Sequence, residues 1–134
     1  MKAGIYNNVQ IDASGKIIGI GNKNYALSTE ITTATDNIEA FSGGGQESAT
    51  ILTSTYNIIE TAAAANDSVK TDTGVVGNVR EVANFTGNDI NVYPASGEYF
   101  VYGTTDMLVD EAIVLADSNV IKLVCYTTGV YRYY

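Results

Sequence analysis

Residues 52–97, LTSTYNIIETAAAANDSVKTDTGVVGNVREVANFTGNDINVYPASG, decide the fold class. They read as short β-prone runs bounded by Gly, Asn, Asp, Ser and Pro, the residues that end strands and make turns. Tyr56–Thr61 reads as one strand and Ser68–Thr71 as a shorter one. Val76–Asn84 and Asp89–Pro94 are expected to form a hairpin closed by Phe85-Thr86-Gly87-Asn88. Pro94, the only proline, sits where a strand ends and its missing N–H does no harm. Helix propensity is confined to Thr61-Ala62-Ala63-Ala64-Ala65-Asn66, which is too short to stand alone and reads as a corner.

Downstream, Glu98–Gly103 (EYFVYG) is strongly β-prone, with Tyr99 and Val101 on one face and Phe100 and Tyr102 on the other. Glu111–Asp117 (EAIVLAD), bounded by aspartates, reads as a buried strand. Val120–Tyr126 and Val130–Tyr134 flank Thr127-Thr128-Gly129 and make the clearest hairpin. Upstream, Val9–Asp12 and Lys16–Ile20 flank Ala13-Ser14-Gly15 as a small hairpin. Asn37–Phe41 fits a helical turn or a strand, and Gly43-Gly44-Gly45 fits a hinge or linker. No repeat with a period of about 20–50 residues is visible. The expectation is an all-β protein of about eight to ten short strands, an antiparallel, jelly-roll-like β-sandwich over residues 49–134. Residues 1–48 form an extended N-terminal arm with its hairpin.

Length and composition bound the rest. A chain of 134 residues suits one domain and buries enough surface to fold without metal or disulfide staples. Only 16% of residues are charged; Thr, Asn, Gly and Tyr take their place, as suits a pleated surface. Seven basic residues against fifteen acidic ones, the basic ones scattered singly, argue against nucleic acid and anionic membranes. The one cysteine, Cys125, lies in an apolar run and reads as a small hydrophobe. No apolar signal sequence follows Met1, and no run approaches the ~18 apolar residues of a membrane helix. Synthesis in a reducing cytosol follows as the expectation.

Catalytic chemistry has little to work with. With no histidine, Ser-His-Asp and Cys-His arrangements and the commonest metal ligand are absent. A two-carboxylate glycosidase needs no histidine, and Asp106, Asp110, Glu111 and Asp117 are its only candidates. They follow no recognisable motif and read as solvated loop carboxylates, with calcium ligation a minor alternative. Gly19-Ile20-Gly21 lacks the third glycine of a dinucleotide loop. Asn66-Asp67-Ser68 and Asn84-Phe85-Thr86 match the glycosylation triplet by chance in an Asn- and Thr-rich chain. The expectation is no enzyme, no cofactor and no metal.

Ten tyrosines and no tryptophan are harder to set aside. Tyrosine offers a large rigid face and one polar handle, which suits a sandwich core, a subunit contact or a sugar-stacking surface. A strand apolar on both faces, such as Tyr99–Tyr102, needs something to cover its outer side. The weakly hydrophobic arm needs a partner too. Ile5, Tyr6, Val9, Ile11, Ile17, Ile18 and Ile20 on the arm, with Tyr99, Tyr102, Tyr131 and Tyr133, are therefore the candidate partner-binding residues.

Asp89-Ile90-Asn91-Val92-Tyr93-Pro94-Ala95-Ser96-Gly97 resembles a phrase found in structural proteins of tailed bacteriophages, where it ends a sandwich strand after a Thr-rich strand and an Ala/Gly-rich corner. The likeness covers about a third of the chain. It implies a virion protein: a capsid decoration or cement module, often trimeric, that docks on the major capsid protein or other virion proteins and stabilises the head. A fibre or receptor-binding module that recognises host glycan is the alternative.

Overall fold

A computed structural model describes residues 33–134 and the backbone of three short strands before them, β1 (Gly4–Tyr6), β2 (Val9–Ile11) and β3 (Ile17–Ile20). These three pair antiparallel in the order β1-β2-β3, so the segments expected to make the N-terminal hairpin do pair. The arm's docking lies outside the described residues.

Eleven further strands follow: β4 (Ala34–Glu39), β5 (Thr50–Leu52), β6 (Tyr56–Thr61), β7 (Ser68–Thr71), β8 (Val79–Asn84), β9 (Ile90–Tyr93), β10 (Tyr99–Tyr102), β11 (Thr105–Asp106), β12 (Ile113–Leu115), β13 (Val120–Thr127) and β14 (Val130–Tyr133). No helix occurs among the described residues. The strands form a seven-stranded sheet, β11-β10-β14-β13-β8-β6-β4, and a four-stranded sheet, β12-β9-β7-β5. Alternation explains both. Along β8 every second residue is buried, and Arg80, Val82 and Asn84 face inward. Ile59, Val82, Phe100, Leu123 and Tyr131 from one sheet close on Leu52, Val69, Ile90, Val92 and Leu115 from the other, as in a β-sandwich.

The connectivity departs from the expected antiparallel, jelly-roll-like sandwich. From β4 to β9 the chain crosses from sheet to sheet at every step, and each strand pairs in parallel with the one two ahead: β4 with β6, β6 with β8, β5 with β7 and β7 with β9. The chain winds as a flat coil of three turns. Thr50 pairs with Val69 and Val69 with Val92, so inward side chains stack in ladders from turn to turn. The hairpin expected between Val76–Asn84 and Asp89–Pro94 does not form, because β8 and β9 lie in different sheets. The Phe85–Asn88 segment is the corner between them. The 48/49 boundary falls between β4 and β5, inside the first turn. Gly43, Gly44 and Gly45, all at positive φ, turn the corner there, where the Gly43 N–H donates to Asp67.

After β9 the pairing changes. β12 closes on β9 and β13 on β8, both antiparallel, and these two strands cap the last turn of the coil. The β13–β14 hairpin forms where expected, with a bulge at Tyr126. β10 joins the edge of β14 in parallel.

Candidate interaction surfaces

Among the described residues three regions hold the chemistry: a buried polar seam, the outer face of the seven-stranded sheet, and a tyrosine corner at its β10–β11 edge.

The seam pins the loop between β7 and β8. Arg80 grips Asp72 with both arms of its guanidinium, Nη2 to Oδ2 at 2.9 Å and Nε to Oδ1 at 3.2 Å. The Gly74 N–H donates to the Glu98 carboxylate at 2.9 Å. Gly77 N–H donates to the Cys125 carbonyl, and Cys125 N–H to that of Asn78. Burial pushes the Cys125 thiol up, helped by the Glu98 charge, so it stays a protonated core side chain. Tyr131 is fully buried, its hydroxyl meets no hydrogen-bond partner of good geometry among the described residues, and burial pushes its pKa up to about 12. The seam's carboxylates, Asp72 and Glu98, both bind groups that fix the loop. That is structural work.

Three of the four carboxylates singled out as glycosidase candidates have similar employment; the fourth, Asp106, lies exposed on β11. Asp110 accepts from Gln46 Nε2 and from Gly97 N–H, each at 2.7 Å. Glu111 accepts from Leu108 N–H at 2.8 Å. Asp117 accepts from Gly87 N–H, which holds its carboxyl below the usual carboxylate range. Among the described residues no group of three or more Asp, Glu or Cys side chains is placed to hold a metal. Asn84 of the second glycosylation-like triplet is wholly buried.

On the outer face of the seven-stranded sheet the register sets out rows across the strands. Ile58 of β6, Ala83 of β8 and Val120 of β13 make one row. Tyr56, Glu81 and Lys122 make the next, extended by Tyr134, which exchanges both backbone hydrogen bonds with Lys122. Val79, Val124 and Arg132 make a third. Tyr56 is 42% exposed, Val120 55% and Tyr134 69%. Tyr126 lies under the Arg132 guanidinium, 4.8 Å from its ring centre. Sequence reading missed this face because Tyr56, Glu81 and Lys122 lie far apart in the chain: the parallel winding aligns Tyr56 with Glu81, and the antiparallel return of β13 aligns Glu81 with Lys122.

The tyrosine corner contains residues the sequence did single out. Tyr102 is 62% exposed and stacks on Tyr133, ring centres 4.9 Å apart and planes 24° apart. Phe100 meets Tyr133 edge-on beneath them. The Met107 N–H donates to the Phe100 carbonyl, which holds the following loop along this edge; in it Leu108 is 76% exposed. Tyr99, also on β10, is half-buried. Tyr131 is the exception among the candidates. The β14 register turns it into the core against Phe100, so it cannot touch a partner. Ile5 and Tyr6 lie on β1, Val9 and Ile11 on β2, and Ile17, Ile18 and Ile20 on β3; their side chains are outside the described residues.

Comparison with family models, with curated proteins and with solved structures finds no match to this chain.

Proposed function

We propose that the protein is a structural module of a larger assembly, a virion decoration protein of the kind the DINVYPASG phrase implies, which works by docking and not by turnover. One observation carries this reading: the stacked Tyr102–Tyr133 pair, with exposed Tyr102 outermost and exposed Leu108 in the loop that follows β11, gives the sheet edge an aromatic–aliphatic surface. Rigid aromatic surface at an edge is what protein interfaces select, because it buries area at little cost in rotamer freedom. The partner under this reading is the major capsid protein or another virion protein. The arm carrying β1–β3 adds contact area, and the module acts as a homo-oligomer on the shell. Many weak contacts on a repeating surface sum to firm attachment.

The same corner favours one alternative. Its stacked rings offer the flat aromatic surface on which a host glycan would stack in a fibre or receptor-binding module.

The deciding experiment mixes purified protein with empty expanded heads and pellets the particles. Wild type is expected in the pellet at high copy, and Tyr102→Asp/Leu108→Asp, still folded by circular dichroism, in the supernatant. A double variant that decorates like wild type, or a wild-type protein that ignores heads and binds host cells, overturns the decoration reading.

A further inference from the structure

We infer that two copies of this chain pair through the outer faces of their seven-stranded sheets, about a twofold axis that runs along the strands between β8 and β13. The argument is the register. Glu81 and Lys122 are direct neighbours across β8 and β13, 3.9 Å apart. A twofold axis between these strands sets Glu81 of one copy over Lys122 of the other, and the reverse, so one pair becomes a crossed set of two acids and two bases. The same rotation sets Ala83 against Val120 and Val79 against Val124, apolar on apolar on either side of the charged row. Tyr56, one strand beyond β8, meets Tyr134, one strand beyond β13, and both are exposed in the single copy.

Charge makes this face the place for self-contact. The chain has fifteen acidic and seven basic residues, so two copies repel in most orientations. Here acid and base balance in the central row, and Arg132 adds a cation in the next. Two twisted sheets packed face to face in this way are an aligned sandwich, about 10 Å apart. Four strands at about 4.8 Å and some five residues of each at about 3.3 Å cover roughly 300 Å² in plan. A standard interface takes about 800 Å² from each partner, so the pair is a weak one, formed at high local concentration. That is the condition of a protein gathered on a repeating surface. The contact is twofold; it is separate from the trimer that the phage resemblance implies.

Charge reversal tests it in solution without any shell. Sedimentation equilibrium of wild type is expected to show a concentration-dependent monomer–dimer equilibrium. Glu81→Lys alone and Lys122→Glu alone put like charges over one another and weaken it about tenfold or more. The double reversal restores the crossed pairs and the dimer. An equimolar mixture of the two single variants forms heterodimers more tightly than either variant self-associates. Both positions lie on the solvent side of the sheet, and circular dichroism confirms that each variant is folded. A wild type that stays monomeric at the highest soluble concentration overturns the inference. So does a single reversal that dimerises like wild type, or a mixture with no preference for the heterodimer. Shell docking stands or falls separately: a dimer that ignores heads refutes only the docking, and a decorating monomer refutes only the pair.

Discussion

Asn84→Ala tests whether the coil's last corner is held by one side chain. Asn84 ends β8 wholly buried. Its Nδ2 donates to the Asn88 carbonyl at 2.8 Å and to the Leu115 carbonyl of β12 at 2.9 Å. Its Oδ1 accepts from the Thr86 N–H at 3.1 Å and from the Thr86 hydroxyl at 2.8 Å. One amide thus folds the β8–β9 corner and ties the seven-stranded sheet to the four-stranded one. Alanine removes all four bonds. The Thr86 and Asn88 groups are partly buried and regain water, at about 1 kcal/mol per bond. The Leu115 carbonyl is left dry, at about 1–3 kcal/mol. The expected loss is about 4–6 kcal/mol, a large part of the roughly 5–15 kcal/mol by which such domains are stable. Urea unfolding reads it as a fall in midpoint of about 2–3 M at unchanged slope, for a slope near 2 kcal/mol per molar. Asn84→Asp, which turns an oxygen toward two carbonyls, loses more at neutral pH than in acid, where the protonated carboxyl can donate. Asn91→Ala is the control: its Nδ2 makes one exposed bond of 3.4 Å to the Asn66 carbonyl, and its loss stays within about 0.5 kcal/mol. An Asn84→Ala protein that loses less than about 1 kcal/mol refutes the corner's dependence on this amide.

Gly74→Ala places a Cβ 3.1–3.2 Å from Tyr131, Cys125 and Glu98, so a loss of about 1–3 kcal/mol is expected by thermal or urea unfolding. Tyr131→Phe removes a hydroxyl that meets no partner of good geometry, so it costs under about 1 kcal/mol or gains stability. Tyr131's folded pKa of about 12 lies above its ordinary 10.0, so its contribution is intact below about pH 10 and is lost as pH rises toward about 12. The Phe variant's stability is therefore expected to fall less over that range. Burial also pushes Tyr133 up, so part of the alkaline loss remains. Native Cys125, 1% exposed, should react with a thiol reagent only as fast as the protein opens, and a fast burst of labelling would contradict its place in the seam.

Sequence reading recovered the strands better than their partners, and the physics of pairing says why. Alternation along Val79–Asn84 reports one buried face and nothing about which strand lies alongside. The Phe85-Thr86-Gly87-Asn88 stretch has hairpin chemistry, yet Asn84 and Asn88 turn it into a corner between sheets by binding Leu115 and Ala62 carbonyls. The winding escaped detection because its turns are uneven: Thr50 pairs 19 residues ahead with Val69, while Tyr56 pairs 25 ahead with Glu81. Such spacing leaves no fixed period. The C-terminal hairpin was readable because its partners are adjacent and its turn is short. Tyr131 was misread as a contact because the bulge at Tyr126 resets which β14 residues face inward, and no local pattern encodes it.

A coil of parallel turns has two ends, and its growth must be stopped at both. The last turn is stopped by reversal: β12 and β13 come back antiparallel on β9 and β8. The first turn is stopped by a blunted edge. β4 carries Asp36 and Glu39, its pairing with β6 slips twice, and Asn37 stands at φ 54°, in the left-handed region where asparagine is tolerated. β5 beside it is three residues long. A flat, neutral six-residue strand there would invite copies to add edge to edge without limit. Among the described residues, both ends of the coil thus disfavour strand addition. The two contacts proposed above avoid these edges: one uses the sheet face around the Glu81–Lys122 row, the other the aromatic corner toward β11, at the far side of the sheet from β4. Under the decoration reading proposed above, such contacts suit a component of finite copy number on a shell.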